Sequence, residues 1–162
     1  MHYSNLLHRT SFGLAVGGGV PWLWPAFETL HFIGMALLIG CVGAIDLRVL
    51  GAGKALPVGP MQGLVPWGLL GFAINFVTGV GFYAGKPEAY QNWAFGMKVL
   101  FILLGVGNVV VFYAGGLRHQ LDAIGPGESA PIAAKVVGGS SLLLWFGVMF
   151  WGRMLPSFSQ SF

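Results

Sequence analysis

Charged residues are scarce in this sequence, and that scarcity decides its class. Asp, Glu, Lys and Arg make up 8% of the 162 residues, whereas apolar residues make up 56%. A soluble domain carries about 25% charged residues and could not cover its surface with so few. Disordered chains are excluded as well, because they are poor in apolar residues and rich in charge. The class that remains is an integral membrane protein.

Cysteine is almost absent too, since Cys41, inside an apolar run, is the only one. A single thiol excludes an intrachain disulfide, a cysteine-based zinc site and covalent attachment of a c-type haem through a Cys pair. The net charge of +3 is spread along the chain without a basic cluster. The sequence therefore gives no indication of nucleic-acid binding.

Four apolar runs, each about 20 residues or longer, make up most of the chain, and each is long enough to cross a bilayer. They predict an all-α integral membrane four-helix bundle, in which residues 1–162 form one membrane domain. Residues 1–25 contain glycine and proline rather than a long apolar core, which favours a short N-terminal interfacial segment over a signal peptide. The predicted spans cover residues 26–50, 62–84, 93–115 and 132–155.

Small residues recur inside these spans, and glycine alone occurs 27 times. Ala36, Gly40 and Ala44 form a ridge at four-residue spacing in the first span. Membrane helices associate through close packing of such ridges, because lipid tails are as apolar as leucine side chains. We therefore expect this ridge to pack against another helix, with further surface for membrane partners or a second copy of the chain.

Polar residues inside the spans are few enough to be compared by helical face and by depth. Glu28 and His31 are three residues apart and share a face of the first span. The first and third spans enter from the same side, so Glu28 and Lys98 lie at similar heights. Residues of the second and fourth spans fall at comparable depth. The sequence predicts one polar cluster near this face, made of Glu28, His31, Thr78 and Lys98, with Met149 beside it.

His31 has a structural and a functional interpretation. In the structural one, its ring forms a hydrogen bond with Thr78, with Asn75 or with a backbone carbonyl, while Glu28 pairs with Lys98. In the functional one, His31 binds the iron of haem b as an axial ligand, and Lys98 meets a propionate. Contact with a quinone and proton handling are further alternatives.

The haem hypothesis needs a second axial ligand, and no other span contains a histidine. His2 and His8 could take this position only if the N-terminal segment folds back over the bundle. Met35 or Met149 could supply a thioether instead, although a methionine in a span is usually a packing residue. The cofactor-binding candidates are therefore His31, Lys98 and Met149, with His31 as the metal ligand.

The tryptophans of the spans read as residues of the membrane–water interface and of packing: Trp67, Trp93, Trp145 and Trp151.

Asp46 and Arg48 mark the far end of the first span. With Arg118 of the loop after the third span, they are predicted to anchor the first helix at the membrane–water interface. The functional alternative for these interface charges is a proton entry point.

Two segments of the sequence resemble a known group of proteins. Residues 22–34 read WLWPAFETLHFIG, and DLRVLG follows at 46–51. With Lys98 and Asn108 in the third span, these segments resemble an uncharacterised family of small bacterial four-span membrane proteins, loosely similar to CopD-like and cytochrome b-type membrane subunits. The resemblance covers most of residues 20–116 and implies a bacterial inner membrane location.

The sequence favours a small membrane subunit associated with an electron-transfer complex, holding haem b or contacting quinone near His31. The alternative is a cofactor-free structural or assembly subunit that packs against larger membrane partners. A small-solute or proton permease is less favoured, because there is no inverted repeat and few intramembrane charges. An enzymatic activity is not assigned.

Lysine and arginine near the span ends should indicate the orientation, because they are enriched on the cytoplasmic side. Each side carries four of them, but Lys98 lies inside a span and counts less, which favours periplasmic termini. The side of the termini has Arg9, Lys86, Lys98 and Arg153, and the opposite side has Arg48, Lys54, Arg118 and Lys135.

Overall fold

The computed structural model describes residues 7–159, which contain helices and connecting turns and no strand. Four long helices dominate, and each has an apolar stretch long enough to cross a membrane. The predicted all-α membrane bundle of four spanning helices is confirmed. The helices are α1 (Leu23–Leu50), α2 (Val65–Gly85), α3 (Trp93–Ala114) and α4 (Ile132–Ser159).

Local signals explain where these helices begin and end. Pro25 lies in the first turn of α1, where its missing N–H costs nothing. Gly51 ends α1 in the left-handed conformation, with φ of +113°, and its N–H reaches the carbonyls of the last turn. The side chain of Asn92 caps α3 by accepting a hydrogen bond from the Phe95 N–H at 3.0 Å. The observed bounds thus lie within a few residues of the predicted ones.

The helix order in space follows from which helices pack together. Helix α1 packs against both α2 and α4, and α3 packs against α4, while α2 and α3 make little direct contact. The α1–α2 contact is closest at Gly34 and Gly71. A Cβ atom on Gly71 would lie 2.5 Å from the Gly34 carbonyl oxygen. The two backbones therefore touch, which only glycine permits at that position.

The small-residue ridge of α1 is not where this contact forms. A Cβ atom on Gly40 would have no atom of the described chain within 4 Å. The prediction that this ridge joins two helices of the bundle is therefore wrong at Gly40. The contacting glycine is Gly34, which lies on another face of α1 because a separation of six positions corresponds to about 1.7 helical turns.

The side opposite the termini has an apolar core of its own. Residues 117–131, between the third and fourth predicted spans, contain a short helix, Leu117–Asp122. The apolar residues of this helix pack onto the ends of α1 and α4 and onto apolar residues of the neighbouring loops. The buried cluster consists of Val49, Val58, Leu117, Leu121, Ile124, Ala130 and Ala134.

The N-terminal segment covers the other end of the bundle. A short helix, Ser11–Leu14, runs into a wide helical turn, Ala15–Gly19, whose Val16 is fully buried. The ring of His8 donates a hydrogen bond from Nδ1 to the Ala84 carbonyl at the end of α2, at 3.1 Å. The segment is therefore packed on α2. Residues 1–6 of the predicted interfacial segment lie outside the described residues.

Candidate functional site

His31 is held against α2 by a short hydrogen bond. Its Nδ1 lies 2.7 Å from the hydroxyl oxygen of Thr78, which itself donates to the Ile74 carbonyl at 2.8 Å. Because the hydroxyl hydrogen is used in this way, Nδ1 is the donor to Thr78 and Nε2 carries a lone pair. Phe82 packs edge-on against the ring, at 5.5 Å between centroids. Thr78 is one of the three partners that the structural interpretation left open, with Asn75 and a backbone carbonyl.

Lys98 and Glu28 do not meet. The Lys98 ammonium lies over Gly152 of α4, 3.4 Å from where a Cβ atom would be, and near enough to the His31 ring for its charge to act on that ring. Glu28 is exposed and accepts a hydrogen bond from Trp24 Nε1 at 3.0 Å. Within residues 7–159 the two side chains form no ion pair. The predicted cluster is therefore only partly assembled, around His31, Thr78 and Lys98.

The charge of Glu28 acts on a tyrosine instead. Tyr90 belongs to the short turn Pro87–Tyr90 that connects α2 to α3 outside the spans. Burial raises the pKa of the Tyr90 phenol to about 12, and the neighbouring Glu28 carboxylate acts in the same direction. A phenolate beside a carboxylate would be repelled, so Tyr90 stays protonated at neutral pH.

Met149 lies in α4, at its interface with α1. It lines a shallow apolar groove of about 280 Å³ there, with Ile39 and Val42 of α1. The role of Met149 in binding a cofactor at His31 stays a prediction.

Haem b at His31 can be tested against these contacts. The arrangement suits one axial ligand, because a metal-binding histidine usually donates its second ring N–H to a neighbour, as Nδ1 does to Thr78. The second axial ligand, for which His2, His8, Met35 and Met149 are the candidates, stays a prediction. Haem at His31 stays a prediction.

An absorption spectrum checks this haem prediction. Haem held by His31 gives the dithionite-reduced protein a b-type band, and His31→Ala should abolish it because the iron loses its ligand. His119→Ala is the matched control, because His119 lies in the short helix on the opposite side and is exposed. A wild-type protein from haem-replete cells that shows no such band would contradict the prediction.

Arg48 is buried at the end of α1. Its guanidinium donates hydrogen bonds from Nε to the Leu56 carbonyl at 2.5 Å and from Nη2 to the Lys54 carbonyl at 3.3 Å. Nη2 also reaches the carbonyls of Gly125 and Glu128, at 3.4 and 3.5 Å. The side chain thus ties the loop after α1 to the loop before α4. Its role is to position these loops.

The other two predicted interface charges lie elsewhere. Arg118 is exposed and has its guanidinium 6.0 Å from the centre of the Tyr113 ring. Asp46 is 8% exposed and points into the bundle, where the Ser141 hydroxyl of α4 lies beside its carboxyl group. The charges of Asp46, Arg48 and Arg118 therefore do not form one cluster.

Asp46 lines a cavity inside the bundle. The cavity has a volume of about 360 Å³ and receives side chains from all four long helices. It lies between α2 and α3, where these helices do not pack on one another. Exposed lining residues on both helices, Leu69 of α2 and Val106 and Val109 of α3, mark its mouth toward the surrounding bilayer.

The cavity wall is apolar except for a few groups on α1, α3 and α4. Asp46 Oδ2 and Trp145 Nε1 are both buried, and neither has a hydrogen-bond partner within residues 7–159. Asn108, by contrast, is satisfied, because it donates to the Val137 carbonyl at 3.0 Å and accepts from Ser140 at 2.9 Å. An acceptor and a donor are thus left open in this cavity.

The sequence did not predict this site, because each of its residues taken alone fits a structural role. Trp145 was interpreted as a packing residue, and its indole does pack on Gly105 and near Phe72, at 6.1 Å between ring centres. The sequences of α2 and α3 do not indicate that these two helices stay apart. The available signal was Asp46, because an acidic residue within a span faces the interior or a water-filled cavity.

Comparison of this chain with models of protein families, with curated proteins and with solved structures finds no match in any of the three.

Proposed function

We propose that this chain is a small multi-pass membrane subunit that holds a lipophilic ligand of the bilayer in the four-helix cavity. The observation that carries the proposal is the position of the cavity, which is walled by all four helices and opens between α2 and α3. Ligand sites are concave, mostly apolar and contain a few placed polar groups. A ligand dissolved in the membrane would enter sideways through this opening.

The proposal also places the subunit beside an electron-transfer complex. Its support is the resemblance of the His31 and Asp46 segments to small membrane subunits of the cytochrome b type. Much of α3 presents apolar side chains to the outside, including Leu100, Leu103 and Val110. The alternative is a cofactor-free structural subunit, in which the same surface packs against larger partners.

We further propose a bacterial inner membrane location with periplasmic termini. The support is the distribution of lysine and arginine. Lys98 lies over Gly152 inside the bundle, so the side of the termini keeps three basic residues near its span ends. The opposite side keeps four, although Arg48 is used to bind loop carbonyls. The difference is small and favours cytoplasmic loops.

Blocking the mouth of the cavity tests the proposed function. Val109→Trp places a large ring at the opening, so we expect native mass spectrometry to show a stoichiometric lipophilic adduct on the wild type and none on this variant. Val110→Trp is the matched control, because Val110 is the next residue of α3, is also exposed and does not line the cavity. An adduct that survives in both variants, or is absent from the wild type, would favour the structural subunit.

A further inference from the structure

Two opposite charges contact one indole ring at the end of the bundle where the termini lie. Trp24 is in the first turn of α1, and Lys86 directly follows the last residue of α2. The Lys86 ammonium lies over the Trp24 ring, 4.6 Å from its centre, in a cation–π contact. At the ring edge, Trp24 Nε1 donates a hydrogen bond to Oε1 of Glu28 at 3.0 Å. The indole therefore has a cation over its face and an anion at its edge.

These two charges do not neutralise each other. Both side chains are exposed, and among the residues that the structure describes neither Glu28 nor Lys86 forms an ion pair. The second oxygen of the Glu28 carboxylate and the N–H groups of the Lys86 ammonium are thus available to a ligand. A molecule with one positive and one negative group close together can bind both charges at once, through charge-assisted hydrogen bonds.

The contacts of the Trp24 ring restrict the cation that such a ligand can carry. Lys86 lies over the ring, and Phe82 also packs against it, at 5.0 Å between ring centres. A quaternary ammonium, which binds to aromatic faces, would be repelled there by the Lys86 charge. The cation of the ligand is therefore directed to Glu28. A primary ammonium donates hydrogen bonds to a carboxylate, whereas a quaternary ammonium has no N–H to donate.

The height of these charges and the surface below them indicate a lipid. Tryptophan and tyrosine near the ends of spans lie at the level of the lipid headgroups, as Trp24 and Tyr90 do here. Deeper in the membrane, Phe32 is 63% exposed and lies four positions after Glu28, on the same face of α1. An acyl chain can pack along this face, whereas a water-soluble zwitterion gains nothing from it.

We propose that Trp24, Glu28 and Lys86 form a binding site for a phospholipid with a primary ammonium in its headgroup, such as phosphatidylethanolamine. Its phosphate lies at the Lys86 ammonium, its own ammonium donates hydrogen bonds to the Glu28 carboxylate, and an acyl chain runs along α1 past Phe32. None of these residues lines the four-helix cavity, so the inference goes beyond the proposed function.

Lipid binding measured with three headgroups tests this site. Detergent-purified protein is titrated with phosphatidylethanolamine, phosphatidylcholine and phosphatidylglycerol that have identical chains, and native mass spectrometry counts the bound lipids. We expect one site that binds phosphatidylethanolamine about fivefold more tightly than the other two lipids, because an exposed pair of opposite charges contributes up to about this factor. Equal affinities for all three would indicate ordinary contact with the bilayer and overturn the proposal.

Substitutions of the two charges assign the parts of the headgroup. Glu28→Gln should abolish the preference for phosphatidylethanolamine over phosphatidylcholine, whereas Glu88→Gln, at an exposed acidic residue of the nearby turn, should keep it. Lys86→Gln should weaken the binding of all three lipids, because each contains a phosphate. Its matched control is Lys54→Gln, at an exposed lysine on the opposite side of the membrane.

A soluble headgroup and the cavity variant separate the remaining outcomes. Glycerophosphoethanolamine has the same headgroup without chains, and it should not displace the lipid at equal concentration. Displacement by this compound, or a preference that survives Glu28→Gln, would overturn the lipid site even if the cavity holds a ligand. We expect the headgroup preference in Val109→Trp as well, so the two proposals fail independently. The comparison of lipids on the wild type stands if a variant fails to fold.

Discussion

Arg48→Met should lower the free energy of unfolding by about 3–5 kcal/mol, because each lost hydrogen bond from a charged donor is worth about 1.5–3 kcal/mol. The two shortest bonds, to Leu56 and Lys54, dominate this value. Methionine fills most of the volume of the side chain but leaves the carbonyls of both loops buried without a donor. Chemical denaturation of the detergent-solubilised protein measures the change.

Arg118→Met is the control for the removal of a positive charge on the same side of the membrane. Arg118 is exposed and has its guanidinium 6.0 Å from the centre of the Tyr113 ring, so its loss should cost at most about 1 kcal/mol. Limited proteolysis adds a local readout, since the loop before α4 should be cut faster in Arg48→Met. Equal stability of the two variants would show that Arg48 does not hold the loops.

Gly71→Ala should lower the free energy of unfolding by about 3 kcal/mol, at the upper end of the usual range for overpacking. The added methyl group would lie 2.5 Å from the Gly34 carbonyl oxygen and 2.6 Å from the Leu38 nitrogen. Both are backbone atoms of α1 and cannot move aside as a side chain can. Helices α1 and α2 would have to separate along their main contact.

Gly40→Ala is the matched control, because it makes the same substitution in a spanning helix at a position with open space. It should be neutral or stabilise the protein by about 0.5–1 kcal/mol, since alanine is the better helix former. Thermal unfolding in detergent compares the two variants directly. If Gly40→Ala proves the more harmful substitution, the face of α1 that contacts α2 has been assigned wrongly.

Part of the candidate site could be derived from sequence spacing alone. Depth and polarity placed Thr78 among three possible partners of His31, because a buried imidazole in a span needs a partner and few were available. The pairing of Glu28 with Lys98 was predicted by the same reasoning and does not occur. Similar depth in the bundle does not determine on which side of its helix a side chain lies. Glu28 accepts a hydrogen bond from Trp24, one helical turn away, instead of pairing with Lys98.

The sequence by itself determined the membrane class, the number of spans and their approximate ends. These properties depend on how apolar each segment is, and on turn residues such as Gly51, which act within a few neighbours along the chain. The tertiary structure alone decided that α1 lies between α2 and α4, that α2 and α3 stay apart, and that Asp46 and Trp145 face one cavity. All four helices are apolar on most faces, so the sequence carries little information about which faces meet. That choice depends on where backbones can touch, as at Gly34 and Gly71, and it is made only when the helices pack.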